Sequence, residues 1–179
     1  MKKLLFFLAL VCCYGCSDNT VTEMNEGNAQ QLYNTIKGTY MGNIMVNNIP
    51  QKTYLTIDNN LTVKYLPVRP ILERIFTDAA LDEAEKSAGS VVFTASIDQM
   101  AVTGGNAYLK PEPTDLVFTV KVGSKSYAVN ALMEGVLYAN TTYNELSMTM
   151  NVTQLNCDGI QYDMVNQGVN YYVDNAKKE

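Results

Sequence analysis

The sequence predicts a mainly β protein: an antiparallel β-barrel or β-sandwich with an N-terminal helix and one inserted helical segment. Three observations predict it. Apolar and polar residues alternate through most of the chain after Gly38, the period of a half-buried strand. The alternating runs are joined by short links rich in Asn, Asp, Gly and Pro, which suit hairpins better than the long crossovers of a parallel sheet. Only two stretches carry helical spacing, and no period of 20–50 residues repeats, so a solenoid or propeller is not expected.

The elements follow in order. Ala29, Leu32, Tyr33 and Ile36 recur at i, i+3, i+4, i+7, which predicts a helix over 28–37 with Asn28 as its cap, Lys37 in its last turn and Gly38 at its end. Tyr40, Ile44 and Val46 then alternate. Leu55 and Ile57 are separated by Asp58-Asn59-Asn60 from Leu61, Val63 and Tyr65, a strand and hairpin, and Pro67 and Pro70 stop the sheet. Ile71, Leu72, Ile75, Phe76 and Ala79 form the apolar face of a helical region over 70–87, with Pro70 at a first helical position and Thr77-Asp78 dividing it in two. Val91, Phe93, Ala95 and Ile97 line one strand face. After Asp98-Gln99 the apolar residues move to Met100 and Val102, a change of parity that requires a bulge or a break. Gly104-Gly105-Asn106 is a turn and Pro111-Glu112-Pro113 a loop. Leu116 to Val122, Tyr127 to Met133 and Leu146 to Val152 complete the alternating strands.

The chain before these elements is an address. Lys2 and Lys3 precede an apolar run from Leu4 to Tyr14, the layout of a secretory signal peptide over residues 1–15. As a helix the run would span only roughly 16 Å, about half a hydrocarbon core. Three of the four cysteines, Cys12, Cys13 and Cys16, lie at its end, a spacing unsuited to a disulfide framework. The sequence Gly15-Cys16-Ser17-Asp18 resembles a bacterial lipoprotein signal, in which the cysteine after a small residue is acylated on sulfur and becomes the mature N-terminus. Cys13 stands where that pattern usually has Leu. The resemblance implies lipidation at Cys16, removal of Cys12 and Cys13, and a flexible tether over 16–28 before a single β-rich domain over 29–179. Asp18 and Glu23 give that tether a weak likeness to the acidic signal of surface-exposed Bacteroidetes lipoproteins.

Loss of Lys2 and Lys3 leaves eleven cations against eighteen acids, a formal charge of −7. Such a domain has no basic block for a phosphate backbone, so nucleic acid is not expected as a partner. The expected attachment is to a membrane through acyl chains.

Histidine is absent, so neither a Ser-His-Asp nor a Cys-His nucleophile can be assembled, nor a histidine-ligated metal site. Cys157, the remaining thiol, has no imidazole to activate it. Asp78, Asp82, Glu83 and Glu85 are a candidate carboxylate pair for glycoside chemistry, but their helix places them on a solvated face. Asn156, Asp158 and Asp163 faintly resemble a calcium loop without its full spacing, and a β-turn suits them better. Asn60, Asn140 and Asn151 begin N-x-T sequons that count as composition here. Eleven tyrosines follow the signal, among them Tyr108, Tyr127, Tyr138, Tyr143, Tyr162, Tyr171 and Tyr172. They suit strand packing or a binding surface, and Tyr171-Tyr172 is the pair expected to be exposed.

The lipid signal, the tether, the helix leading into Gly38-Thr39-Tyr40-Met41-Gly42 and the tyrosine-rich β domain together resemble small Bacteroidetes lipoproteins of unknown function, some of which have lipocalin-like or calycin-like barrels. The resemblance implies an outer-membrane lipid-anchored protein facing the periplasm or the cell surface. The expected role is a non-catalytic binding or accessory module, not an enzyme, with no cofactor and with a ligand or protein as partner. Two alternatives stand beside it. A carboxylate-based carbohydrate-active enzyme requires two acids facing across a cleft, and a structural or pilus-associated subunit requires strand exchange between chains.

Overall fold

The computed structural model describes residues 26–46, 49–103, 106–164 and 168–179. The signal segment, Cys16, most of the tether and the Gly104-Gly105 turn lie outside the described residues. In order, the elements are α1 (Glu26–Ile36), β1 (Gly38–Val46), β2 (Ile49–Ile57), β3 (Asn60–Lys64), α2 (Arg69–Leu72), α3 (Asp78–Ala88), β4 (Val92–Thr103), β5 (Asn106–Pro111), β6 (Thr114–Val122), β7 (Lys125–Asn140), β8 (Glu145–Cys157), β9 (Ile160–Tyr162) and β10 (Val169–Lys178).

Ring closure decides between barrel and sandwich. β1, β2, β3, β4, β5, β7, β8 and β10 pair in that order, each antiparallel to the next, and β10 returns to pair with β1. β6 continues the line of β5 along the 16-residue β7: β5 pairs with its residues 137–140 and β6 with 125–133. In the same way β9 continues the line of β10 along β8. The protein is therefore mainly β, a closed eight-stranded antiparallel barrel consistent with a calycin-like fold.

Alternation places one side of each strand in the lumen. Tyr40, Ile44, Leu55, Leu61, Phe93 and Leu109 are at most 2% exposed, and the inward residues form one packed cluster with Val129, Met133, Leu137, Met148 and Tyr171. Eight strands enclose a lumen just wide enough for side chains to fill, and here apolar side chains fill it. At Gly135, β7 leaves no room for a side chain beside β8, since a Cβ there would meet the Thr149 carbonyl oxygen at 2.1 Å.

A helix covers each end. At the end where β1 starts, Ile36 of α1 is buried, the Tyr40 hydroxyl donates to the Ile36 carbonyl at 2.7 Å, and the Tyr33 hydroxyl donates to the Asp58 carbonyl in the β2–β3 turn. At the other end Pro70, Ile71 and Leu72 of α2 are buried, and the Tyr171 hydroxyl donates to the Pro67 carbonyl at 2.7 Å. Between β4 and β6 the ladder is interrupted, and α3 covers the open edge of β6. There the Lys121 amide donates to Ser87 Oγ at 2.7 Å and the Gly123 amide to Glu83 Oε2 at 2.8 Å. Covering an edge in this way denies it to a second chain.

Four details differ from the sequence reading. α1 starts at Glu26, so Asn28 lies inside the helix and does not cap it, and Lys37 falls just beyond its last residue. The inserted helix divides at Thr77 as the sequence predicts, but the Thr77 side chain makes no capping hydrogen bond. Tyr171 is buried at 0% exposure while Tyr172 is 45% exposed, because successive strand residues face opposite sides, so the pair cannot be exposed together. Val169–Lys178, beyond the last strand that the sequence alternation predicts, is the strand that closes the ring. The bulge expected near Asp98 is present, as a register shift between Ile97 and Gln99.

Candidate functional site

With the lumen filled, surfaces available to a partner lie outside it. Two hollows stand out. The first lies at the rim, where β1 ends at Val46 while β10 extends past it; Met45, Pro70, Glu73, Arg74, Asn170 and Tyr172 contribute to a volume of about 270 Å³. Its position follows from the unequal lengths of β1 and β10 and from α2 folding over the gap.

The second hollow, of about 250 Å³, lies on the outer face of β6, β7, β8 and β9. Strand register builds it. Asp115, Leu132 and Gln154 stand side by side on three strands, and Val117, Asn130, Asn156 and Gln161 on four. A register shift at Leu132/Met133 leaves Thr153 as an extra residue in β8, so that Thr153 and Gln154 are both exposed. Thr153 donates to Glu134 Oε1 at 3.1 Å, and the bulge turns Gln154 into the hollow, a common use of bulges beside binding sites. Asn156 Oδ1 accepts from the Gly159 amide at 2.9 Å, fixing its orientation and leaving its two N–H donors for the surface.

An aromatic and cationic patch occupies another outer face. Met41, Tyr54, Lys64 and Val92 form a cross-strand row on β1–β4, with Tyr65 at 6.1 Å from the Tyr54 ring and Lys52 over Tyr54 at 5.2 Å. Tyr65 holds a positive φ of 59°, a conformation that bulky side chains rarely adopt.

The candidate residues from the sequence are placed as follows. Cys16 lies outside the described residues. Cys157 is buried and free at the end of β8, and burial together with the nearby Asp158 charge pushes its thiol pKa up, away from thiolate character. The four α3 carboxylates do not face one another across a cleft: Asp82 pairs with Arg69 at 3.0 Å, Glu85 also pairs with Arg69, Glu83 accepts from Gly123, and Asp78 is exposed at the first position of the helix. The hydrogen bonds that Arg69 donates to Glu85 and Asp82 raise its pKa, so this residue links α2 to α3 as a permanent cation. Asp158 occupies a turn at φ 50°, before Gly159 at φ 83°, and its carboxylate accepts from the Ala128 amide at 2.9 Å. Those polar groups serve the β8–β9 turn.

The tyrosines are divided among separate surfaces. Tyr108 and Tyr138 pair across β5 and β7 at 5.1 Å, and Tyr127 packs edge-on against Phe76 at 5.0 Å beneath Lys125. Tyr143 is exposed in the β7–β8 turn, and Tyr162 is half-buried. Asn130, Gln154 and Gln161 are not among the residues that sequence reasoning singled out. The signal was present as polar positions in alternating runs, but only the register of four strands brings them together.

Comparison with known proteins finds no family model, no curated protein and no solved structure that matches the chain. The class that the fold defines is a closed antiparallel barrel with an apolar side-chain-filled lumen and two open hollows on its outside.

Proposed function

We infer that the chain is a lipid-anchored envelope protein of the Bacteroidetes lipoprotein kind, and that its calycin-like barrel serves as a non-catalytic binding or accessory module at the outer membrane. Cys16 carries the lipid. The observation that carries the binding role is the filled lumen covered by a helix at each end: such a barrel offers its outer face and rim to a partner and no interior to a small apolar ligand. The absence of histidine and the commitment of Asp82 and Glu85 to Arg69 and of Glu83 to Gly123 support a role without catalysis.

Attachment through residue 16 would join the anchor to the α1 end of the barrel, opposite the α2 rim. About ten residues of tether reach at most roughly 35 Å, enough for the barrel to tumble beside the headgroups. The test is Cys16→Ala in the full chain, followed by membrane fractionation and labelling with an alkyne fatty acid. The wild type should sediment with membranes and carry label, and the variant should do neither. Unchanged membrane association of the variant would sink the anchor.

A further inference from the structure

We propose that the outer-face hollow on β6–β9 is a binding site for a neutral oligosaccharide. The proposal rests on the reading of the domain as a non-catalytic binding module and names the class of its ligand.

The chemistry of the lining carries it. Four carboxamides, Asn130, Gln154, Asn156 and Gln161, converge around Leu132, with Asp115 as the one charged group. A carboxamide both donates and accepts, as a sugar hydroxyl does, so neighbouring amides can answer the donor–acceptor pattern of vicinal hydroxyls without a formal charge on the ligand. Among the described residues, no protein partner takes the side-chain amides of Asn130, Gln154 or Gln161. Their hydrogen-bonding capacity is directed outward.

Shape and charge point the same way. The row Val117–Asn130–Asn156–Gln161 crosses four strands, roughly 14 Å at the usual strand spacing. That length suits two to three sugar rings better than one. Leu132 is part of the lining, and Val117, 66% exposed at the end of the row, offers apolar contact to the C–H face of a ring. Asp115 disfavours an anionic chain, and no cationic residue lines the hollow to attract one. The rim hollow differs in carrying Glu73 and Arg74, a lining suited to charged groups.

The experiment uses the full chain purified in detergent and titrated calorimetrically with neutral hexasaccharides of gluco, xylo and manno configuration, with a hexagalacturonate as the charged comparison. Gln154→Ala, Asn130→Ala and, as a distant control, Tyr54→Ala are titrated alongside, their thermal midpoints showing that each folds. At least one neutral hexasaccharide should bind, with the two amide variants each weakening it at least tenfold and Tyr54→Ala leaving it unchanged. No binding by any neutral hexasaccharide at millimolar concentration overturns the site, as does binding that the amide variants leave intact or tighter binding of the galacturonate. Reducing ends are followed in the same samples. Their release over time would overturn the non-catalytic reading alone, whereas failure to bind removes this site and leaves that reading to the other surfaces.

Discussion

Tyr171→Phe removes one oxygen atom from the inside of the barrel, and the structure sets the size of the effect. Tyr171 is 0% exposed, and its hydroxyl donates to the Pro67 carbonyl at 2.7 Å. Pro67 is itself buried, in the link from β3 to α2. Phenylalanine keeps the ring and its packing, so the loss is dominated by a buried carbonyl left without its donor, about 1–3 kcal/mol. For a domain of this size each kcal/mol moves the thermal midpoint by about 2–4 °C, so a fall of roughly 2–12 °C is expected. Urea unfolding followed by far-ultraviolet circular dichroism should show a lower midpoint at an unchanged slope, which assigns the change to stability and not to the compactness of either state. Limited proteolysis should meanwhile become faster within residues 66–77, because the lost bond ties that segment to β10. A loss below about 0.5 kcal/mol with unchanged proteolysis would refute the claim that this hydroxyl holds the α2 cover in place.

Two further perturbations test the interior. Gly135→Ala places a methyl group 2.1 Å from the Thr149 carbonyl oxygen and 2.9 Å from the Met150 Cα; the obstacle is largely backbone, so the urea stability should fall by about 3 kcal/mol or more, at or beyond the upper end of ordinary overpacking. Raising the pH supplies the second test. Burial pushes the Tyr40 pKa from 10.0 up to about 12 and the Tyr171 pKa higher still. Above pH 10 the unfolded chain therefore loses these protons while the folded chain retains them, and stability that is complete below pH 10 drains away as pH rises toward 12. Chemical denaturation at pH 9, 10.5 and 11.5 should show that decline, and Tyr40→Phe should make it shallower.

The fold was readable where alternation is unbroken. Leu116 to Val122, Tyr127 to Met133 and Leu146 to Val152 keep strict parity and emerge as strands facing the lumen on one side. β10 escaped the sequence reading because a register shift between Val173 and Ala176, with Asn175 at a positive φ of 48°, interrupts its alternation within a polar composition. Its Val169, Tyr171 and Val173 nevertheless repeat at period two. The helical insert was legible through Pro70 and the apolar spacing of Ile71 and Leu72. Its position over the end of the barrel was not, since that depends on Tyr171 reaching Pro67 across more than a hundred residues. The same limit applies to the outer-face hollow: Asn130, Gln154 and Gln161 each look like a solvated strand residue, and only pairing across β7, β8 and β9 makes them neighbours.

The pairing of β1 with β10 makes this barrel a ring whose latch is its last segment. Tyr40 has its partner in Lys178 and Ile44 in Val173, so a chain emerging N-terminus first, from a ribosome or a translocation pore, carries both open edges until residues 169–178 are free. Closure of the ring therefore waits on the last strand. A stop codon ahead of Val169 would leave a sheet with two sticky margins in place of a closed domain.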